Sequence, residues 1–331
     1  MTMKAYVTLR SGTLADLRER IPRLEAWGLT GAMVGDHLFI QAPDQTRSEA
    51  RRPLEPMTVL ATVATLSERL HVGTMVSNLS FLHPSLVLRQ FAGLAALFGG
   101  DRVLAGLGAG WNRQEFEAIG LQMPDFRTRM DRLEEAVHLA RELFDHGMAS
   151  VEGSQVVARE LPLAPLPTVP PRILVGGGSD RLLDIAGRYA DVLDLNGSSR
   201  RTKVAGPDLP GADARRRLTT TAADLELSAE RVRAASEAAG RPRNAVTMSV
   251  LVGWMEFCRA SEVSSVAERM CRENGLPPQS LDECPYVLLG EPTQMVEKLQ
   301  QRHERFGLDM VIIAGSIDPQ RFCEQVLPHV S

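Results

Sequence analysis

A carboxylate and an imidazole stand side by side at Asp36-His37, directly after the apolar run Ala32-Met33-Val34. Histidine exchanges a proton near neutral pH, and a neighbouring carboxylate can orient it or share its charge. Such a pair suits general acid–base work or the anchoring of a ligand. The same residues would also suit a histidine that packs and hydrogen-bonds at a strand end. Two glycine clusters follow other apolar runs. The first is Gly106-Leu107-Gly108-Ala109-Gly110-Trp111-Asn112. It lacks the third glycine of a dinucleotide fingerprint, because Trp111 stands there, and no regular helix is expected before about residue 127. Its glycines would let the backbone pass close to a flat ligand, with Trp111 as a wall and Asn112 as an amide. The second is Gly176-Gly177-Gly178-Ser179-Asp180, and a helical pattern begins at once after it. Unshielded backbone N–H groups at a helix start suit a phosphate, and a tight turn with a serine cap is the structural alternative. Asn78, after Val72–Val76, could hydrogen-bond a ligand ring. His83 precedes Pro84 and reads as structural.

These residues need a scaffold that brings strand ends together. Eight short apolar runs alternate with amphipathic helical patterns. They are Ala5–Val7, Ala32–Val34, Val72–Val76, Val103–Gly106, Ile173–Val175, Val192–Leu195, Thr247–Val252 and Met310–Ile313. The helical patterns fall near 13–27, 54–68, 84–98, 127–146, 179–189, 228–239, 293–306 and 318–328. Strict alternation implies a parallel sheet, and eight units closing on themselves give a (β/α)8 TIM barrel. A doubly wound open sheet is the runner-up. In either fold the C-terminal strand ends carry the chemistry. Residues 38–53, 197–226 and 253–290 exceed the minimal alternation and read as insertions in a single domain spanning 1–331. Most of them follow strand ends, on the catalytic face. The run Arg215-Arg216-Arg217 reads as a solvated loop.

Bulk properties narrow the function class. The net charge of −4 argues against a dedicated nucleic-acid binder, and no apolar run has membrane-spanning length. The chain opens directly on a strand-like segment without a signal-peptide core, so the cytoplasm is the expected location. The four cysteines, Cys258, Cys271, Cys284 and Cys323, form no CxxC pair, which argues against a zinc site or a disulfide framework.

Taken together, these residues resemble the bacterial luciferase-like family of flavin-dependent oxidoreductases. Asp36-His37 is similar to the family's acidic-histidine motif. The segment from Gly106 to Gly120 is similar to its fourth-strand signature, with Arg132–Ala136 at a typical distance beyond. Gly176-Gly177-Gly178 is similar to its phosphate loop, and Leu289-Gly290-Glu291-Pro292 to its late loop. The resemblance covers nearly the whole chain. It implies a (β/α)8 barrel with flavin mononucleotide (FMN) or the deazaflavin coenzyme F420 at the C-terminal face. By position it implies His37 as acid/base or substrate anchor beside Asp36. Met75-Val76 would be a non-prolyl cis peptide against the ring, and Asn78 would reach the ring's polar edge. Gly108, Trp111 and Asn112 would line the cofactor, and Gly176, Gly177, Gly178 and Ser179 would hold its phosphate.

The family includes FMN monooxygenases and deazaflavin-dependent dehydrogenases and reductases. Leu38-Phe39-Ile40 supplies no aromatic-plus-acid set for a sugar phosphate. The reading leans to reduced F420 and hydride transfer to or from a small organic substrate, since arginine-rich usage is associated with bacteria that make deazaflavin. The alternative is a two-component monooxygenase using reduced FMN and oxygen. Without a nicotinamide fingerprint, that enzyme would need a separate flavin reductase. A nicotinamide-linked dehydrogenase and a non-enzymatic flavin-binding barrel are further alternatives. The family resemblance also implies a homodimer.

Overall fold

The computed structural model describes residues 3–10, 12–41, 45–46, 48–201, 212–277 and 279–330. Its strands are β1 (Lys4–Thr8), β2 (Gly31–Val34), β3 (His71–Thr74), β4 (Ser77–Asn78), β5 (Val103–Gly108), β6 (Met148–Glu152), β7 (Val157–Pro162), β8 (Arg172–Gly177), β9 (Val192–Leu195), β10 (Thr247–Val252), β11 (Trp254–Phe257), β12 (Val287–Gly290) and β13 (Leu308–Ile313). The main sheet runs β3-β2-β1-β13-β10-β9-β8-β5-β4, and β3 also pairs with β5 through Val72–Val103 and Gly73–Leu104. That last pairing closes the ring, and every pairing within it is parallel. The molecule is therefore a (β/α)8 barrel and not an open sheet. All eight expected strand segments are found in it, with one correction. Val72–Val76 is not one strand, because the strand pairing stops after Thr74 and resumes as β4.

Side chains alternate across each strand, which sorts the apolar residues into two layers. Tyr6, Met33, Leu104, Leu174, Val192, Met310 and Ile312 fill the barrel, with Met75, Val76 and Leu251 packed on them. The opposite faces of the same strands meet the helices in a larger core that includes Val7, Val72, Phe91, Leu133, Val175 and Phe306. Local signals set several helix ends. Asp125 caps Phe126–His146 by accepting from Thr128 N–H, and Gly147 ends that helix in the left-handed region. His83 caps Pro84–Phe98 through Nδ1, which confirms its structural reading.

Several expectations are corrected. A short helix, Arg113–Ala118, begins well before residue 127, because Asn112 caps it. The helix expected at 228–239 starts six residues earlier, at Ala222, where Thr221 and Asp224 form a capping box. Arg215–Arg217 is not a solvated loop: the run lies half-buried in the helix Ala212–Thr219. In 253–290, β11 and β12 pair in parallel around the helix Val263–Glu273. Leu289 and Gly290 are thus strand residues, and Pro292 opens a helix, so this segment is no loop. An antiparallel hairpin, β6–β7, leads into β8; its charged outer positions gave no alternation clear enough to read. Part of the 197–226 insertion, residues 202–211, lies outside the described residues.

Candidate active site

Asp36 and His37, just past the end of β2, take different partners. Asp36 turns toward β4, where Asn78 N–H donates to its Oδ2 at 2.9 Å. Burial raises the Asp36 carboxyl above its usual range, and the Asn78 hydrogen bond partly offsets this. Asp36 thereby ties the end of β2 to the strand that follows the break in pairing. His37 turns toward the helix Arg113–Ala118. Its Nδ1–H donates to Glu115, at 3.1 Å from Oε1 and 3.2 Å from Oε2. A carboxylate only accepts, so Nδ1 carries the proton and Nε2 is left for another partner. Glu115 is 2% exposed and also accepts from Leu38 N–H. Trp111, 64% exposed, meets the imidazole edge-on with ring centroids 5.7 Å apart.

Beside this pair lies the peptide Met75-Val76, which is cis. The point where a Cβ on Gly35 would stand is 3.6 Å from the His37 ring and 3.9 Å from the Met75 carbonyl, so Gly35 lies next to both. Thr74 bridges to β5 by donating to Gly106 O, and Ser77 Oγ donates to Thr74 Oγ1. The glycines of β5 answer to this packing. A Cβ on Gly106 would fall 1.9 Å from Thr74 O, and one on Gly108 would fall 2.3 Å from Val76 Cγ2. Gly106 and Gly108 were expected to make room for a ligand; in the structure they make room for Thr74 of β3 and for Val76. Gly108 therefore shapes the site indirectly, by seating Val76.

The second glycine cluster begins on the far side of Val76. A Cβ on Gly176 would stand 3.6 Å from Val76 Cγ1 and 3.8 Å from Asp194 Cβ. Gly177 has φ +153°, open to glycine, and Gly178 lies against Gly197 O with no room for a side chain. Ser179 caps the helix Asp180–Tyr189 by accepting from Leu182 N–H at 3.4 Å. The first N–H groups of that helix have no intrahelical acceptor. These are the groups that could hold a phosphate.

The structure thus gathers Asp36, His37, Met75, Val76, Asn78, Gly108 and Trp111 at the ends of β2, β3, β4 and β5. Gly176 joins them through Val76, and Gly177, Gly178 and Ser179 continue outward along one edge. Asn112 differs from its expected role: its amide oxygen caps a helix by accepting from Gln114 N–H. Asn78 is also partly committed, with Oδ1 accepting from Ser80 N–H. Sequence reading missed Glu115, although it lies inside the segment 106–120. Its signal is a carboxylate in the first turn of a capped helix just past a strand end. Asp194 was missed too, and its signal is a charge inside the apolar run Val192-Leu193-Asp194-Leu195. No cluster of metal-ligating side chains occurs among the described residues, and no helix among them is long and apolar enough to cross a membrane.

A family model described as luciferase-like monooxygenase matches residues 3–309. The pyrimidine monooxygenase RutA of Cronobacter sakazakii is 28% identical over 190 residues, covering 57% of this chain and 50% of that protein. RutA of Escherichia coli K12 is 31% identical over 154 residues, covering 46% and 40%. The chain thus matches about half the length of these curated relatives, or less. Among solved structures, an F420-dependent secondary alcohol dehydrogenase aligns with a TM-score of 0.75 at 17% identity over the whole of both chains. The long-chain alkane monooxygenase LadA aligns at 0.70 and 12% identity, covering all of this chain and 91% of LadA. Both likenesses are likenesses of fold. With the family model spanning nearly its whole length, the chain belongs to the luciferase-like monooxygenase family.

Proposed function

We propose that this protein is a flavin-dependent monooxygenase that takes reduced FMN and acts on a small organic molecule. The observation that carries the reading is the position of Val76. It packs on Gly108 on one side and borders Gly176 on the other, so an apolar shelf and a glycine loop form one continuous strip at the strand ends. A flavin needs that sequence of surfaces: a flat support for the ring, space for its side chain and backbone N–H groups for its phosphate. The residues fit. Met75 and Val76 would support the ring, Asn78 Nδ2 would meet its polar edge, and the N–H groups around Gly177, Gly178 and Ser179 would take the phosphate. When bound, the reduced ring supplies the electrons for oxygen or hydride chemistry.

The chain's own residues would handle protons and water. Glu115 fixes the His37 ring, so Nε2 faces a defined direction and can give or take a proton there. Trp111 would shield that nitrogen from bulk water. Asp36 holds the end of β2 against β4 and so keeps His37 in step with the shelf. The sequence relatives support monooxygenation, since both are pyrimidine monooxygenases. They shift the weight away from the F420 chemistry favoured by composition. A separate reductase would supply reduced FMN, because the first glycine cluster is taken up by strand packing and lacks a nicotinamide fingerprint.

The hydride reading with F420 stays as the second one, because a histidine held by a carboxylate suits the proton that accompanies hydride transfer to a carbonyl. Titration of the purified protein with FMN and with F420 separates the two. Tight FMN binding and oxygen-dependent turnover with a reductase support the first reading. Tight binding of F420 alone, with turnover under anaerobic conditions, replaces it by the second. Binding of neither overturns both.

A further inference from the structure

Asp194 is a charged side chain that β9 turns into the barrel, next to the proposed cofactor strip. It follows Val192 on the inward face of β9 and is 1% exposed. Oδ1 accepts from Ser249 Oγ at 3.3 Å. Oδ2 is buried and has no hydrogen-bond partner among the described residues. A buried carboxylate oxygen left unpartnered is costly, and burial pushes the Asp194 carboxyl up to about 7 despite Ser249 and the nearby charge of Arg217. Val192 and Leu193 before it and Leu195 after it are all apolar, so Asp194 is the single polar residue of its strand.

The direction of the orphan oxygen is informative. A Cβ on Gly176 would stand 4.0 Å from Asp194 Oδ2 and 3.6 Å from Val76 Cγ1. Gly176 therefore borders the apolar shelf on one side and an unpartnered acceptor on the other, with no side chain of its own between them. The phosphate candidates, Gly177 and Gly178, follow Gly176 directly along the chain. In flavins and deazaflavins alike, a hydroxylated five-carbon chain joins ring to phosphate. A chain running from the shelf to the glycine loop must cross Gly176, and there its hydroxyl groups would meet Asp194.

We infer that Asp194 is a cofactor-positioning residue whose carboxyl receives hydrogen bonds from the polyol chain as it crosses Gly176. This rests on the proposed flavin site. The hydroxyls would satisfy Oδ2, so binding would relieve an unfavourable feature of the free protein as well as add a contact. Ser249 would hold the carboxyl in place through Oδ1.

The test compares FMN with lumiflavin, which keeps the ring but carries a methyl group instead of the polyol and phosphate, and with riboflavin, which lacks only the phosphate. Binding is read by flavin fluorescence quenching. Asp194→Ala should weaken FMN and riboflavin by about ten- to a hundredfold, the scale of a hydrogen bond to a charged group. Lumiflavin should bind within about twofold of its wild-type affinity, on the same reasoning that only polyol contacts are lost. Asp194→Asn keeps an acceptor and should recover most of the loss. Equal weakening of lumiflavin, or no change with riboflavin, overturns the inference while leaving the flavin site intact. Where the wild type takes F420 and not FMN, the same comparison applies to F420 against its ring carrying a methyl group. Where the wild type binds none of these, the flavin site itself fails, and the inference with it.

Discussion

Both carboxylate oxygens of Glu115 stand within hydrogen-bond reach of His37 Nδ1, at 3.1 and 3.2 Å, across 78 residues of sequence. The contact joins the loop after β2 to the short helix after β5. It also settles which imidazole nitrogen carries a proton, because the carboxylate can only accept. The buried carboxylate has a second task, accepting from Leu38 N–H, which fixes the backbone just past the histidine.

If His37 handles the proton and Glu115 positions it, their variants should separate turnover from binding. His37→Ala should lower kcat by about 10²–10⁴-fold, the usual worth of a general acid or base. Glu115→Gln should lower kcat by about ten- to a hundredfold, the scale of one charge-assisted hydrogen bond. In both variants the flavin Kd should stay near wild type. Glu115→Asp should restore part of the rate. A Glu115→Gln protein with unchanged kcat but weakened flavin binding and a lower Tm would show that the residue only supports the fold.

The seat of Val76 gives a stability prediction with its own control. A methyl group on Gly108 would stand 2.3 Å from Val76 Cγ2, between two packed strands. Gly108→Ala should cost about 1–3 kcal/mol, the usual range for overpacking, and should weaken flavin binding as Val76 shifts. Gly93 lies inside the helix Pro84–Phe98 with nothing near the position of an added Cβ. Gly93→Ala should stabilise by about 0.5–1 kcal/mol and leave flavin binding unchanged. Urea unfolding of the two variants reads both effects. Equal, mild effects at both positions would contradict the tight seat assigned to Val76.

The barrel was legible because its signal is periodic and repeated. Eight apolar runs separated by amphipathic helices constrain one another, and each of them contributes a strand to the closed ring. The connections were less legible. Arg113–Ala118 is too short for periodicity and is set by one cap, Asn112. The hairpin β6–β7 buries only alternate residues of a charged stretch. At the site, Asp36-His37 and the glycine clusters were visible as residue types next to strand ends. Glu115 and Asp194 were not, because their meaning comes from partners 78 and 55 residues away, His37 and Ser249. The glycines of β5 show the converse. Their pattern suggested a ligand, whereas the neighbour that excludes a side chain at Gly108 is Val76.

Asp194 also predicts a pH effect on the free protein. Burial raises its carboxyl to about 7, so between roughly pH 4 and pH 7 the folded protein binds a proton that the unfolded chain has lost. This group's contribution to stability therefore falls as pH rises through that window. Asp194→Asn removes the dependence. The variant and the wild type should differ least near pH 4, and the difference should move in the variant's favour up to pH 7 and above. Thermal melts from pH 4 to pH 8 check it, and a gap that stays constant with pH would refute the assignment.

At the other end of the barrel, His71 predicts a slope of opposite sign. Tyr6 fills the interior, and its hydroxyl lies 2.9 Å from His71 Nδ1. Burial pushes His71 down to about 4, with Lys4 and Arg172 acting in the same direction and Asp101 against it. Burial also keeps the Tyr6 hydroxyl protonated, so it donates to a neutral imidazole. Between pH 6.5 and 4 the unfolded chain binds a proton that the folded protein does not, so this contribution is full above about pH 6.5 and declines as pH falls toward 4. His71→Asn keeps an acceptor for Tyr6 but cannot take up a proton. It should therefore lose less stability than the wild type between pH 7 and pH 4.5. Because Asp194 acts oppositely in the same range, the comparison must be made variant against wild type at each pH, by urea midpoints. Parallel acid limbs for the two proteins would mean that the Tyr6–His71 contact does not govern the acid sensitivity of the barrel.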